Sequence, residues 1–350
     1  MSSNEADAVS LAATRYRVAV LVPCYNEEHA IAKVVADFRA SLPDAAIYVY
    51  DNNSTDGTVA AARQAGAVVR RETYQGKGHV VRRMFNDVEA DVYVLVDGDA
   101  TYDAPSAPKM IAKLIEDRLD MVVAARVDRD ATAYRRGHRT GNRLLTGFVA
   151  RIFGRSFTDI LSGYRAFSRR FVKSFPILSR RFEIETELTV HALELELPVA
   201  EIATPYYARP SGSASKLSTW KDGFRILWTI QRLFRSERPL MFFGVLGLVL
   251  ALISIGLAVP IFSTYLEEGL VPRLPTAVLS TGLMLLAFLS IACGLILDTV
   301  TRGRRELRLL AYLALRAPGQ EDAGAELSSR MIGPNVVPAA GSHTGADLQL

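Results

Sequence analysis

Two hydrophobic patterns divide the chain. Up to about residue 210, short apolar runs alternate with longer stretches of helical periodicity, and two long uncharged segments follow farther on. The short runs predict buried strands, and the stretches between them predict helices. The predicted strands are residues 17–23, 47–50, 67–70, 92–96 and 121–125, and the predicted helices are residues 27–41, 56–65, 77–89 and 105–118. This alternation predicts an α/β domain with a mainly parallel sheet that has helices on both faces.

Polar side chains follow the predicted strands at the points where they end. Glu27 follows the first strand, Asp51 the second, Asp97 and Asp99 the fourth, and Arg126 the fifth. Ligands of open α/β sheets bind at the carboxyl ends of the strands. We therefore expect a functional site along this edge of the sheet.

Asp97 and Asp99 alternate at the end of a buried strand. Two carboxylates at one place repel each other, so the pair needs a nearby cation. Hard oxygen ligands suit Mg²⁺ or Mn²⁺, which can also hold substrate phosphates. The pair therefore predicts a Mg²⁺ or Mn²⁺ site and a diphosphate substrate.

The glycines exclude two other phosphate-binding sites. The first predicted strand ends in Pro23-Cys24-Tyr25-Asn26-Glu27, which lacks the glycine cluster of a dinucleotide site. Gly76-Lys77-Gly78 lacks the upstream glycine and the following Ser or Thr of a P-loop. It predicts a turn that opens a helix N-terminus, where phosphate can bind.

The two uncharged segments, residues 239–262 and 277–297, are long enough to cross a bilayer. As a helix the first would reach roughly 36 Å. The alternative interpretation is two buried helices of a soluble core. Arginines flank the pair on both outer sides, whereas the connecting loop carries two glutamates and one arginine. The positive-inside rule then predicts an integral protein of the inner or plasma membrane with both termini and the catalytic domain in the cytoplasm.

Composition and charge fit this organisation. The 350 residues are 49% hydrophobic and carry a formal net charge of +4. Membrane-flanking arginines and phosphate contacts account for the positive charge, so we expect no nucleic-acid partner. The oligomeric state stays open, with a homo-oligomer as one alternative. The predicted regions are a disordered N-terminus at 1–15, a catalytic domain at 16–210, an amphipathic segment at 211–238, a transmembrane region at 239–300, a basic cytoplasmic helix at 301–316 and a disordered tail at 317–350.

Aromatic and basic residues interleave in the segment 211–238, which includes Trp220 and Trp228. This composition next to a span predicts a helix that lies in the lipid headgroup layer. An amphipathic helix packed on the globular domain is the competing interpretation.

Four motifs in order carry a family resemblance that covers about residues 17–235. The chain resembles family 2 glycosyltransferases of the polyprenyl-phosphate (dolichol-phosphate mannose synthase-like) branch. The resemblance implies a GT-A type nucleotide-sugar-binding domain followed by two transmembrane helices. The motifs are Val22-Pro23-Cys24-Tyr25-Asn26-Glu27-Glu28, Asp51-Asn52-Asn53-Ser54-Thr55-Asp56-Gly57-Thr58, Asp97-Gly98-Asp99 and Ser162-Gly163-Tyr164-Arg165.

The resemblance also implies the roles of individual residues. Asp97 and Asp99 match the metal-binding pair, and Asp159 resembles an acceptor-side aspartate, for which positioning, an optional base and a purely structural role stay open. Arg139 is assigned to catalysis and, with Ser162 and Arg165, to acceptor binding. The residues assigned to the nucleotide sugar are Pro23, Tyr25, Glu27, Asp51, Lys77, Asp97, Gly98, Arg126, Arg209 and Lys216.

Three departures from the family pattern refine the prediction. Asn52 stands where a second acidic residue is common, and Thr101 stands where some relatives have a glutamine near the metal. The Gln-x-x-Arg-Trp element of processive synthases is missing, since Gln231 is followed by Arg235 and no tryptophan comes after it. This absence favours transfer of a single sugar.

The function expected from these features is inverting transfer of one sugar from a nucleotide-diphospho-sugar to polyprenyl phosphate at the cytoplasmic membrane face. Membrane lipid is therefore an expected partner. Two alternatives stay open: a membrane-anchored enzyme that glycosylates a saccharide or protein directly, and a non-catalytic sensor of sugar nucleotides. The sequence leaves the sugar and the nucleotide base, uracil or guanine, undetermined.

Overall fold

A computed structural model describes residues 16–128, 146–147, 157–177, 184–209, 228, 231–232, 234–271 and 273–317. The two predicted disordered ends lie outside these residues, except residue 317. Most of the amphipathic segment lies outside them as well, and so do Arg139 and Lys216.

Seven strands and eight α-helices have defined bounds within the described residues. The strands are β1 (Val18–Cys24), β2 (Ala46–Asp51), β3 (Val68–Arg71), β4 (Val92–Leu95), β5 (Met121–Asp128), β6 (Arg165–Ser168) and β7 (Val199–Tyr206). The helices are α1 (Ile31–Ser41), α2 (Thr58–Gln64), α3 (Lys77–Asp87), α4 (Ala107–Glu116), α5 (Arg169–Ser174), α6 (Ile184–Glu194), α7 (Pro239–Glu268) and α8 (Leu274–Leu313). The predicted strands and helices up to residue 125 are confirmed to within a few residues.

All seven strands form one sheet in the order β3-β2-β1-β4-β6-β5-β7. Every pairing is parallel except those of β6, which runs antiparallel to both β4 and β5. The predicted α/β class and mainly parallel sheet are confirmed. Because β1, β2 and β4 are neighbours and parallel, their carboxyl ends bring Glu27, Asp51 and Asp97 to the same edge.

The sheet is buried on both faces. Five of the seven residues of β1 are buried without a break, from Val18 to Val22, as expected of a central parallel strand. Alternate residues of β1 belong to two separate apolar clusters: Ala19 and Leu21 face one, and Val18, Val20 and Val22 the other. The helices that complete these clusters lie on opposite sides of the sheet, so the site edge rests on a rigid base.

The helices α7 and α8 are long and apolar enough to cross a membrane, and only 11% of the most hydrophobic window of each is buried. The alternative of two core helices of a soluble protein is therefore wrong. The pair pack closely at Gly247, where a Cβ atom would lie 2.9 Å from the carbonyl oxygen of Ala287. Reciprocal hydrogen bonds between the hydroxyls and carbonyls of Ser254 and Ser280 add a second contact. The helix α8 continues to Leu313, so the predicted basic helix is its final part.

Candidate active site

Hydrogen bonds join the loop after β1 to the loop after β2. The backbone N–H groups of Asn26 and Glu27 donate to the hydroxyls of Ser54 and Thr58 at 2.9 and 2.8 Å. The N–H of Thr55 donates in return to Oδ1 of Asn26 at 2.8 Å. These hydrogen bonds hold together the ends of the two strands and the loops that follow them. The residues predicted from the sequence to bind the nucleotide lie here: Pro23 in β1, Asp51 in β2, and Tyr25 and Glu27 in the loop after β1. Of these, Tyr25 is exposed, whereas Glu27 and Asp51 are buried.

Asn52 anchors the turn that precedes α3. Its side-chain amide donates to the carbonyls of Glu72 and Tyr74 at 3.0 and 2.8 Å, and its Oδ1 accepts from the N–H of Gly76 at 2.7 Å. An aspartate could not make the two donations. The residue that departs from the family pattern therefore fixes the position from which Lys77 begins α3.

The ammonium of Lys77 bridges two carboxylates. It donates to Oδ1 of Asp97 and to Oε1 of Glu185, the latter at 2.5 Å. All three side chains are largely shielded from solvent, with Asp97 the most exposed at 30%. Burial opposes the charged ammonium, but the two carboxylates outweigh it and raise the pKa of Lys77. Lys77 therefore stays charged.

Asp99 faces a second cation. Arg209 approaches its Oδ2 at 2.7 Å, and the hydroxyl of Thr101 donates to its Oδ1 at 2.7 Å. Arg209 reaches this place because the N–H of Tyr207 bonds the carbonyl of Thr101 at 2.9 Å, which pins the end of β7 to the acidic loop. Burial and the neighbouring Asp97 raise the pKa of Asp99, and Arg209 opposes them.

Three carboxylates face two cations in this cluster of described residues. Because Lys77 and Arg209 oppose Asp97, Asp99 and Glu185, the five groups carry one net negative charge. Lys77 and Arg209 thus offset the electrostatic repulsion between Asp97 and Asp99, so this repulsion alone does not require a metal ion. The part of the chain that the structure describes holds no group of three His, Cys, Asp or Glu side chains placed to bind a metal ion.

Arg126 and Asp159 form a two-pronged ion pair beside the acidic loop. The Nε and Nη2 atoms of Arg126 donate to the two carboxylate oxygens of Asp159 at 2.6 and 2.8 Å. The guanidinium also lies over the ring of Tyr206, 5.4 Å from its centroid. Because both oxygens of Asp159 accept from a permanent cation, the geometry favours positioning of Arg126 over action as a base.

Two of the residues predicted to bind the acceptor are buried. The hydroxyl of Ser162 donates to the carbonyl of Ala124 at 2.7 Å, and neither Ser162 nor Arg165 is exposed to solvent. Arg165 donates to the carbonyls of Ile160 and Ser162 at 2.5 and 2.9 Å. These bonds shape the loop 159–163 from inside, which favours an indirect role for Ser162 and Arg165.

Two glycines permit the close packing around the acidic pair. A Cβ atom on Gly163 would lie 2.3 Å from Oδ2 of Asp97, and a Cβ atom on Gly98 would lie 2.5 Å from Sγ of Cys24. Only glycine fits at either position without a shift of its neighbours. Gly98 was assigned to the site from sequence, whereas Gly163 and Glu185 were missed. Gly163 belongs to the family motif Ser162-Gly163-Tyr164-Arg165, but nothing in the sequence around Glu185 indicates that it belongs to the site.

Comparisons with known proteins show the family to which this chain belongs. A family model described as Glycosyl transferase family 2 matches residues 19–175. Glycosyltransferase AglJ of Haloferax volcanii is 38% identical over 69% of this chain and 80% of its own length. The chain belongs to glycosyl transferase family 2. The dolichyl-phosphate hexose transferase of the same organism is 29% identical to this family 2 glycosyltransferase over 63% of the chain and 95% of its own length.

A solved structure confirms the GT-A type fold. Glucosyl-3-phosphoglycerate synthase from Mycobacterium tuberculosis, in complex with Mn²⁺, uridine-diphosphate-glucose and phosphoglyceric acid, superposes with a TM-score of 0.53. The match covers 63% of this family 2 glycosyltransferase and 82% of that chain at 21% sequence identity, so it speaks for the fold alone.

Proposed function

We propose that this glycosyltransferase moves a single sugar from a nucleotide-diphospho-sugar to polyprenyl phosphate at a membrane surface. The observation that carries the proposal is a charged cluster around Asp97 and Asp99 in a chain that also has two long apolar helices. The relative named dolichyl-phosphate hexose transferase, which this chain covers almost completely, supports a lipid phosphate as the acceptor.

A divalent cation fits the cluster by charge and by donor type. Asp97 and Asp99 offer carboxylate oxygens, which Mg²⁺ and Mn²⁺ prefer. The cluster of five described groups is one positive charge short of neutrality. The solved relative of the same fold contains Mn²⁺ together with a uridine-diphospho-sugar. Asp97 and Asp99 would hold the ion, and when bound it would stabilise the charge of the leaving diphosphate.

The transfer needs little acid–base help from the protein. The second pKa of a phosphate monoester lies near 6, so the acceptor oxygen is already an anion at neutral pH. This oxygen attacks the anomeric carbon as the bond to the donor diphosphate breaks, which inverts the configuration. The protein then acts by alignment of the nucleophile and by stabilisation of the leaving diphosphate. This mechanism needs no strong base, so a role of Asp159 in positioning Arg126 fits it.

We assign the described cations to the phosphates. Lys77 and Arg209 lie against the acidic pair, and Arg126 lies beside it, so these three serve the donor diphosphate. On the family resemblance alone, Arg139 completes the proposal as a clamp on the acceptor phosphate, and Lys216 as a further contact of the nucleotide sugar. Asp51 at the end of β2 and Tyr25 in the loop after β1 would hold the nucleoside.

The test is sugar transfer in membranes that contain the full chain. Membranes would receive labelled uridine- and guanosine-diphospho-sugars with Mn²⁺, and the lipid fraction would then be extracted. Label should appear in a lipid that releases the sugar on mild acid treatment, as a sugar phosphate ester does. Membranes with the Asp97→Asn variant provide the control. Label found only in protein or in water-soluble saccharide would contradict the lipid acceptor and show that the enzyme glycosylates a protein or a saccharide directly.

A further inference from the structure

Glu185 contacts the site from a distant part of the sequence. It lies in the first turn of α6, 108 residues after Lys77, and its Oε1 accepts from Lys77 Nζ at 2.5 Å. Only 6% of Glu185 is exposed. A buried carboxylate is stable when it has a cation as partner, so this pair is mutually dependent.

Glu185 is held by a fixed element. Its carbonyl accepts from the hydroxyl of Thr189 at 3.1 Å, and the same hydroxyl accepts from Nη1 of Arg165 at 2.9 Å. Arg165 in turn shapes the loop that carries Ser162 and Gly163. The first turn of α6 is therefore tied to the buried scaffold behind Asp97. A side chain on such an element can hold its partner in one place.

Lysine needs such a partner more than arginine does. Its ammonium sits on a flexible four-carbon stem and behaves as a point charge with no preferred direction. Asp97 alone gives Lys77 one contact, and Asp97 is also a member of the proposed metal pair. Glu185 supplies a second contact from α6, and the two contacts together hold the Lys77 ammonium next to Asp97.

We propose that Glu185 is a positioning residue, which holds Lys77 so that its ammonium faces the donor diphosphate. The inference rests on the proposed function. Glu185 acts through Lys77, so its influence on donor binding disappears when Lys77 has no charge. An independent role of Glu185, in folding or in contact with the sugar, would persist without Lys77.

A double-mutant cycle separates these two outcomes. Full-length Glu185→Gln, Lys77→Met and the double variant would be compared with the wild type, and Glu116→Gln, an exposed glutamate on α4, is the control. Calorimetry with uridine and guanosine diphosphates in the presence of Mn²⁺ gives the affinity. We expect Glu185→Gln to weaken nucleotide binding roughly tenfold. The double variant should bind no more weakly than Lys77→Met.

Thermal unfolding of the same proteins gives a readout that does not depend on the nucleotide. Lys77→Met leaves the Glu185 carboxylate buried without a cation, so this variant should have a lower unfolding temperature than the wild type. Adding Glu185→Gln removes the buried charge and should restore part of that loss. Losses of affinity that multiply in the double variant would overturn the positioning role, as would an unchanged affinity in Glu185→Gln. A wild-type chain that binds neither nucleotide would instead overturn the proposed function itself.

Discussion

The hydroxyl of Tyr312 donates to Oδ2 of Asp120 at 2.7 Å and so joins the last turn of α8 to the start of β5. Asp120 is fully buried, and it also accepts from Ser168 Oγ at 2.6 Å and twice from Arg170 at 2.6 and 2.7 Å. The Arg170 guanidinium covers the Tyr312 ring, 4.6 Å from its centroid. The helix that carries the second apolar segment is therefore anchored on the catalytic domain at its last turn, where the side chain of Tyr312 is buried.

Loss of the Asp120 charge should destabilise this connection. Asp120→Asn leaves the partly buried Arg170 without its counter-ion and should lower the free energy of unfolding by about 3 kcal/mol, whereas Tyr312→Phe removes one hydrogen bond worth about 1 kcal/mol. The measurement is thermal unfolding of the purified protein in detergent. Asp117→Asn is the control, because the Asp117 pair with Lys113 is exposed and contributes little. Equal midpoints for Asp120→Asn and Asp117→Asn would contradict the network.

The acidic pair should be essential for transfer but not for folding. Asp97→Asn or Asp99→Asn should lower turnover roughly a hundredfold or more, because each removes a carboxylate from the proposed metal site. Lys77 keeps Glu185 as a partner in Asp97→Asn, so the unfolding midpoint should change little. Sugar incorporation into the lipid fraction is the assay, and a chelator should abolish wild-type activity. Full activity in chelator would exclude the metal.

Gly163→Ala should displace Asp97. The new Cβ atom would meet the Asp97 carboxylate at 2.3 Å, so this side chain must turn away from Lys77. A misplaced catalytic group of this kind should lower turnover by about a hundredfold, while the fold persists. Gly303→Ala in α8 is the matched control, since a Cβ atom there meets nothing within 4 Å. Equal turnover of the two variants would show that the position of Asp97 does not limit the reaction.

The sequence predicted the elements whose signal is local. The strands β1 to β5 are short apolar runs between helices, and the acidic pair closes the run of β4, so both could be located by pattern alone. β6 has only four residues, Arg165–Ser168, and is defined by its antiparallel pairing between β4 and β5. Such pairing depends on distant parts of the chain, and no local period announces it.

The same limit applies to the candidate site. The family motifs indicated Arg209 and Asp159 as site residues, but not which residues they pair with. Arg209 contacts Asp99 because the loop 99–103 and the end of β7 meet in the fold, and Asp159 contacts Arg126 in the same way, from a distant part of the chain. Glu185 was missed because a glutamate in the first turn of a helix has an ordinary role at the helix terminus. Its contact with Lys77 is visible only in three dimensions.

A buried histidine should make stability depend on pH. His191 packs against Phe171 and Phe175, and neither ring nitrogen has a hydrogen-bond partner among the described residues. Burial, with a smaller effect of Arg308, lowers the pKa of His191 to about 3, from an ordinary value of 6.5. Between these values the unfolded chain binds more protons than the folded one. Stability should therefore fall as the pH decreases from 6.5 toward 3.

The slope from this one group should approach about 1.4 kcal/mol per pH unit. His191→Leu places an apolar side chain that cannot titrate at this position, so it should weaken the pH dependence of stability. The unfolding temperature of this variant should change less between pH 7 and pH 5 than that of the wild type. His29→Gln is the control, since His29 is exposed and its loss should leave the dependence unchanged. A wild-type slope retained in His191→Leu would assign the effect to other groups.

The orientation of the apolar helices can be tested with single cysteines. Arg302, Arg304, Arg305 and Arg308 follow the second apolar segment, whereas Glu267 and Glu268 end α7 between the two apolar segments, so the connection between the segments should face outside. The native Cys24 and Cys293 would first be replaced by alanine. A membrane-impermeant maleimide should then label Glu267→Cys in intact cells, and label Glu306→Cys only after permeabilisation. Labelling in the opposite order would place the catalytic domain, which is tied to the end of α8, on the outer side and require the donor there.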